Sequence, residues 1–266
     1  AHQSLGQVLA KEGMLEEAIK EFELVLQHDK NNPSIHLTLG QLLMKLNQDE
    51  DAISHLNKAA DLLPQDFQAR IRVADLYFEK GLLQQSLESY KIAASFTPEN
   101  AKVQARLGRI FSDKKDLDRA LIAYKNAVRL DPRDAESQYQ LGKLLASKKQ
   151  YKKAQLVFKK ALSLRGDHAP TFYELGRMLI AEDNFEEAEG LLIKAVEKGS
   201  GDVNYFLALS KALVENNKYD TAIDYLFKAI KLKPSNTDAV FAMCNTYSKK
   251  RNYKVAIGHC ETALTL

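Results

Sequence analysis

The sequence predicts an all-α fold, an α-solenoid of eight helix-turn-helix repeats, and three observations carry that prediction. A small residue recurs at Ala18, Ala52, Ser86, Ala120, Ala154, Ala188, Ala222 and Ala256, always 34 residues apart, with no insertion or deletion. Strict periods of about 20–50 residues mark stacked supersecondary units rather than one enlarged core. Within a period the apolar residues form two runs at helical spacing, Val103, Leu107, Ile110 and Phe111 followed by Leu121, Tyr124, Ala127 and Val128. The runs are separated by a turn, and Pro132 closes the unit.

Taken in order, the stretch Ala101–Asp134 justifies each part. Helix A is predicted over Lys102–Lys114, the turn at Lys114–Asp116 and helix B over Asp118–Leu130. Asp116 and Asp118 stand where an N-cap and the positive end of a helix favour carboxylates. Pro132 stops helix B near the preceding residue. Gly108 is placed where A meets B closely, with Ala120 opposite; Gly6, Gly40, Gly142 and Gly176 repeat it, and Ala74, Ser210 and Cys244 are small variants. The turn column reads Gly13, Asn47, Gly81, Lys115, Lys149, Asp183, Asn217 and Arg251. Gly, Asn and Asp tolerate the left-handed conformation that a helix C-terminus uses.

The repeat boundaries fall at 1–32, 33–66, 67–100, 101–134, 135–168, 169–202, 203–236 and 237–266, making one solenoid domain. The junction Lys198-Gly199-Ser200-Gly201-Asp202 departs most from the pattern, and its two glycines suggest either a softer joint or a packed variant turn. Ile257, Ala263, Leu264 and Leu266 should contact a further element, because a helix pair cannot bury its apolar face alone. The chain opens inside a repeat at Ala1 and stops in a helix, so it is expected to be a piece of a longer protein.

Leu107-Gly108 followed by Phe111, then Ala120, Tyr124 and Pro132, resembles the tetratricopeptide repeat pattern of L-G-x-x-aromatic, A-x-x-x-aromatic and Pro, and the resemblance covers the whole chain. It implies a right-handed superhelix whose A helices line a concave groove, with extended peptides or partner helices as ligands. It implies no catalytic chemistry. Two ligand-binding devices of that family are missing. The column of Ala105 lacks the Lys of a carboxylate clamp for a chaperone tail, and the column of Arg106 lacks an asparagine ladder.

Composition excludes several classes. The charge is +3 from 38 basic and 35 acidic residues, too near neutrality to imply nucleic acid, and acidic blocks interrupt the basic ones. No apolar run reaches the roughly 18 residues of a membrane helix, and a cytoplasmic protein is expected. No phosphate-cradle, nucleophile-elbow or zinc-protease motif occurs, so neither an enzyme nor a cofactor is expected. His2 and His36 hold equivalent places but are read as too far apart for one metal ion. Cys244 and Cys260 are read as packed thiols, with a disulfide between facing helices as the alternative.

The candidate site is a basic stripe on the A helices. The column of Arg109 runs Gln7, Gln41, Asp75, Arg109, Lys143, Arg177, Lys211 and Asn245, placing four cations in successive repeats. Arg72, Arg106 and Lys102 extend it, and Tyr139, Tyr173 and Phe241 are expected to add exposed aromatic surface. Clustered Arg and Lys orient carboxylates and steer association. The expected partner is a protein or peptide with acidic groups; against this stands a solvated face neutralised by Glu136 and Glu174. Two other readings stay open: the recruiting arm of an enzyme whose catalytic domain lies elsewhere, and a scaffold that self-associates through its open terminal repeats.

Overall fold

The computed structural model describes residues 1–62, 67–199 and 201–266. Among them are sixteen α-helices and no strand. In pairs they are α1 His2–Glu12 and α2 Leu15–His28; α3 Pro33–Lys45 and α4 Asp49–Leu62; α5 Phe67–Glu79 and α6 Leu83–Phe96; α7 Ala101–Asp113 and α8 Leu117–Leu130. The series continues with α9 Ala135–Ser147 and α10 Tyr151–Leu164; α11 Ala169–Ala181 and α12 Phe185–Lys198; α13 Val203–Glu215 and α14 Tyr219–Leu232; α15 Thr237–Lys249 and α16 Tyr253–Thr265. Odd-numbered helices are the A helices and even-numbered ones the B helices. Each A helix packs on its own B helix. The helices gather into two compact units, Ala1–Asp131 and Pro132–Leu266.

The turn chemistry is uniform. All eight residues of the turn column have positive φ, from Asp183 and Lys149 at 58° to Gly13 at 85°. In each case the following N–H donates to the carbonyl five residues back, as Asp116 to Phe111 at 2.8 Å and Lys218 to Leu213 at 2.8 Å. This is the Schellman closure of a helix, which the left-handed residue makes geometrically accessible. Side-chain caps open many helices: Asn100 accepts from the Val103 amide at 3.1 Å, and Asp116 accepts from the Arg119 amide at 3.1 Å.

The glycine column has a different partner from the one the sequence suggests. A Cβ added at Gly142 would lie 2.5 Å from the Phe158 ring, one at Gly176 2.5 Å from Leu192, and one at Gly108 2.8 Å from Tyr124. The glycine is therefore a notch for the large residue sixteen positions later, not mainly for the alanine column. That alanine column is buried in its own right, at 0% exposure from Ala18 to Ala222 and 5% at Ala256.

The same notch explains the cysteines. Cys244 replaces the notch residue and Cys260 the residue that fills it, so their Cα atoms face each other at 5.2 Å and the two sulfurs are bonded. The expectation of two packed thiols is corrected to a disulfide.

At the junction before α13, Gly199 is tightly packed: a Cβ there would lie 2.6 Å from the Tyr205 ring and 2.7 Å from the Ala169 Cβ. Gly201 has φ 101°, and Asp202 caps α13 by accepting from the Asn204 amide. The part of the softer-joint expectation that rests on Ser200 lies outside the described residues.

Candidate functional site

In the first unit, α5 and α7 carry Arg72, Lys102, Arg106 and Arg109. Asp75 on α5 gathers two of them: Lys102 Nζ lies 3.2 Å from its Oδ2 and Arg106 Nε 3.2 Å from its Oδ1. The buried Tyr90 hydroxyl donates to the same carboxylate. Burial and that hydrogen bond raise the Tyr90 phenol far above its ordinary range, so it stays a donor. Arg106 and Arg109 also lie over the Phe78 ring, 5.4 and 5.1 Å from its centroid. Arg109 and Arg72 remain exposed. Sequence reading sought the neutralising carboxylates at Glu136 and Glu174 and missed Asp75, which belongs to the same column as Arg109.

In the second unit, Lys143, Arg177 and Lys211 occupy equivalent positions on α9, α11 and α13, and all three are exposed. Lys143 Nζ lies 5.5 Å from the Tyr139 ring centroid, and the Arg177 guanidinium 5.4 Å from that of Tyr173. In both cases the ring belongs to the residue four positions earlier on the same helix, so the two columns combine into a cation resting on an aromatic platform. Arg177 also approaches Glu174 at 3.5 Å. Among the described residues no carboxylate lies within ion-pair distance of Lys143 or Lys211. Glu136 instead accepts from the Gln140 amide at 2.7 Å.

The expectation of exposed aromatic surface is corrected for two residues. Tyr139 and Tyr173 are half-buried: Tyr139 meets His168 edge-on at 4.7 Å and Tyr173 meets Tyr205 at 4.9 Å. Burial raises both phenols, so they are neutral at physiological pH. Phe241 on α15 is exposed as expected, at 61%.

Three hollows follow one another along this face. The first, about 350 Å³, lies between Lys143 and Arg177 and includes Glu174. The second, about 430 Å³, is bounded by Arg177 and Lys211, with Tyr173, Ile180 and Leu207 as its apolar lining and no carboxylate. The third, about 260 Å³, combines Lys211 with Glu215, Asp238 and the apolar Leu207, Val214 and Phe241. Neighbouring hollows share a cation, Arg177 and then Lys211.

The histidines have structural partners. His2 contacts Glu21 at 2.7 Å. His36 Nε2 donates to the Lys30 carbonyl at 3.0 Å, as the Gln104 and Gln138 amides donate to the carbonyls of Pro98 and Pro132. Its Nδ1 lies 2.9 Å from His55 Nδ1, a pairing that no sequence period announces. Among the described residues there is no group of three potential metal ligands, and no helix is long and apolar enough to cross a membrane.

Comparison with known proteins agrees with this fold. Tetratricopeptide repeat families match residues 9–66 and 173–242, and the family of anaphase-promoting complex, cyclosome, subunit 3 matches residues 113–195. No curated protein matches the chain. Among solved structures, the C-terminal part of a TPR repeat-containing protein from Cytophaga hutchinsonii is 18% identical, with a TM-score of 0.72 over 90% of this chain and 98% of that one. YrrB, described as a TPR protein with an unusual peptide-binding site, is 23% identical, with a TM-score of 0.60 over 70% of this chain and 96% of that one. The APC/C hetero-tetramer Cut9-Hcn1 gives 17% identity and a TM-score of 0.60 over 94% of this chain and 49% of that one. The chain belongs to the tetratricopeptide repeat family.

Proposed function

We propose that this chain is a non-enzymatic protein-interaction scaffold that binds a segment bearing acidic groups on its A-helix face. The observation that carries the reading is the row Lys143, Arg177 and Lys211, exposed in successive repeats and bordering hollows with apolar lining. Charged side chains standing over apolar hollows suit a ligand with both carboxylates and carbon surface. Tyr139 and Tyr173 support their cations and offer ring edges. In the first unit Arg109 and Arg72 are the groups ready to meet a ligand, whereas Lys102 and Arg106 must first be drawn from Asp75. Relatives in fold are named for a peptide-binding site and for a hetero-tetramer, which suits an interaction role.

The test is binding of a peptide array by three forms of the chain, each shown by circular dichroism to be helical. They are the wild type, Lys143→Glu/Arg177→Glu/Lys211→Glu, and a control reversal on α10, Lys159→Glu/Lys160→Glu. Acid-rich peptides should be held by the wild type and the control and lost by the triple variant. Equal retention by all three would overturn the reading.

Self-association has its own supporting observation. Leu5 and Val8 are 49% and 56% exposed, yet the equivalents Leu107 and Ile110 are 7% and 0%. Ile257 is 57% exposed, whereas its equivalents Leu121 and Ile223 are 9% and 7%. A second copy docking the first repeat on the last would cover both. Mass by light scattering that rises with concentration, and falls in Leu5→Ser/Val8→Ser, is the expected result; a constant monomer mass would exclude it.

A further inference from the structure

The proposed acidic ligand has a definite register if the helices themselves set the spacing of its charges. Arg177 and Lys211 hold the same position on α11 and α13, which pack directly on each other, as α13 does on α15. Packed helices lie about 8–10 Å apart. The step from Arg177 to Lys211 is therefore about 8–10 Å, which a chain in the polyproline II conformation covers in three residues at about 3.1 Å each, returning every third side chain to the same face. A helical ligand, rising 1.5 Å per residue, would need about six.

The row also has two unlike ends. The second hollow holds Arg177 and Lys211 and no carboxylate. The third keeps Lys211 but adds Glu215 and Asp238, and on α15 the column of cations ends at Asn245. Glu215 is engaged by Lys249 at 2.7 Å. What the third hollow offers instead is apolar, with Leu207, Val214 and the exposed Phe241. A further carboxylate placed there would meet Asp238 with no new cation to receive it.

We infer that the face of α11–α15 recognises a peptide in the polyproline II conformation with two acidic residues three positions apart, followed about three residues later by a large apolar side chain. This inference rests on the acidic-segment reading above. Two acidic side chains face Arg177 and Lys211, small residues between them cross the second hollow, and the apolar residue rests against Phe241. Glu174 already leans on Arg177 at 3.5 Å, so the contact at Arg177 is shared with a carboxylate of the chain itself.

The experiment uses the whole chain and fluorescence-labelled decapeptides read by anisotropy. The first is Glu-Ser-Ser-Glu-Ser-Ser-Glu-Ser-Ser-Leu, tested with its reversed sequence because the row does not fix chain direction. The second has the same composition with the acids at every second position. The third ends in Ser instead of Leu. Two exposed ion pairs kept in register should make the first, in one direction, bind about threefold to tenfold more tightly than the second. Replacing Leu by Ser should weaken the wild type and leave Phe241→Ala unchanged. Equal binding of the first and second peptides, both lost in the Lys143/Arg177/Lys211 reversal, would overturn the register while keeping the acidic-segment reading. No binding by any of them, or binding that the reversal does not affect, would overturn both.

Discussion

Asp75 changes what the cations around it are able to do. It receives Lys102 and Arg106 and accepts from the Tyr90 hydroxyl, so part of a basic row that looks uniform in sequence is internally neutralised. Asp75→Asn should keep the Tyr90 contact, free the two cations and strengthen binding of acid-rich peptides. Weaker or unchanged binding would show that the first unit takes no part. A second residue-scale prediction concerns the notch. Gly142→Ala puts a Cβ 2.5 Å from the Phe158 ring, which is itself fully buried. Overpacking of this kind costs about 1–3 kcal/mol, read as a lower denaturation midpoint, and Gly142→Ala/Phe158→Leu should recover part of it. Full stability of the single variant would mean that the ring moves freely. These cases mark how far residue patterns reach. Glycine spacing announced a close approach, but the filling side chain lies sixteen positions on and became visible only when the helices were paired.

At the level of the element, turns were the most legible feature, because the left-handed conformation restricts composition. Lys115, Lys149 and Arg251 are the exceptions, long side chains held at φ 62°, 58° and 63°. Such a conformation costs an L-residue roughly 1–2 kcal/mol, part of which a glycine gives back in chain entropy. Lys149→Gly should therefore raise stability by about 0.5–1 kcal/mol and Gly81→Ala lower it by a similar amount, measured by urea denaturation. The disulfide joins α15 to α16, and closing a loop of this size stabilises by about 3 kcal/mol. Reduction should speed amide exchange in α16 and leave α13 and α14 as they were; unchanged exchange in α16 would mean that packing alone holds it. The α3–α4 pair should respond to acid. Burial, then the neighbouring His36, lowers the His55 pKa below 6.5, against weaker opposite pulls from Glu23 and Asp51. A base with a depressed folded pKa contributes stability above pH 6.5 that is lost as pH falls through the folded value. His55→Asn should show less acid loss between pH 7 and 5 than the wild type. The histidine pair was not legible in sequence and the disulfide only as the alternative to packed thiols, since each depends on which residues two facing helices bring together.

For the molecule as a whole, the repeat count, helix order and interior columns follow from a 34-residue period, because neighbours in a stacked array bury equivalent positions. The outward columns carry no such constraint. Their residues differ from repeat to repeat, and only the placement of carboxylates and rings beside them separates an engaged cation such as Arg106 from an open one such as Lys211. The proposed role therefore depends on charge meeting charge at Arg177 and Lys211, and binding should weaken as salt shortens the screening length. The most direct test is a charge swap. Peptides with Glu or Lys at every third position are titrated into the wild type and into Arg177→Glu/Lys211→Glu. The wild type should bind the Glu peptide and not the Lys peptide, and the variant should show the reverse preference. The same preference in both proteins would contradict the account.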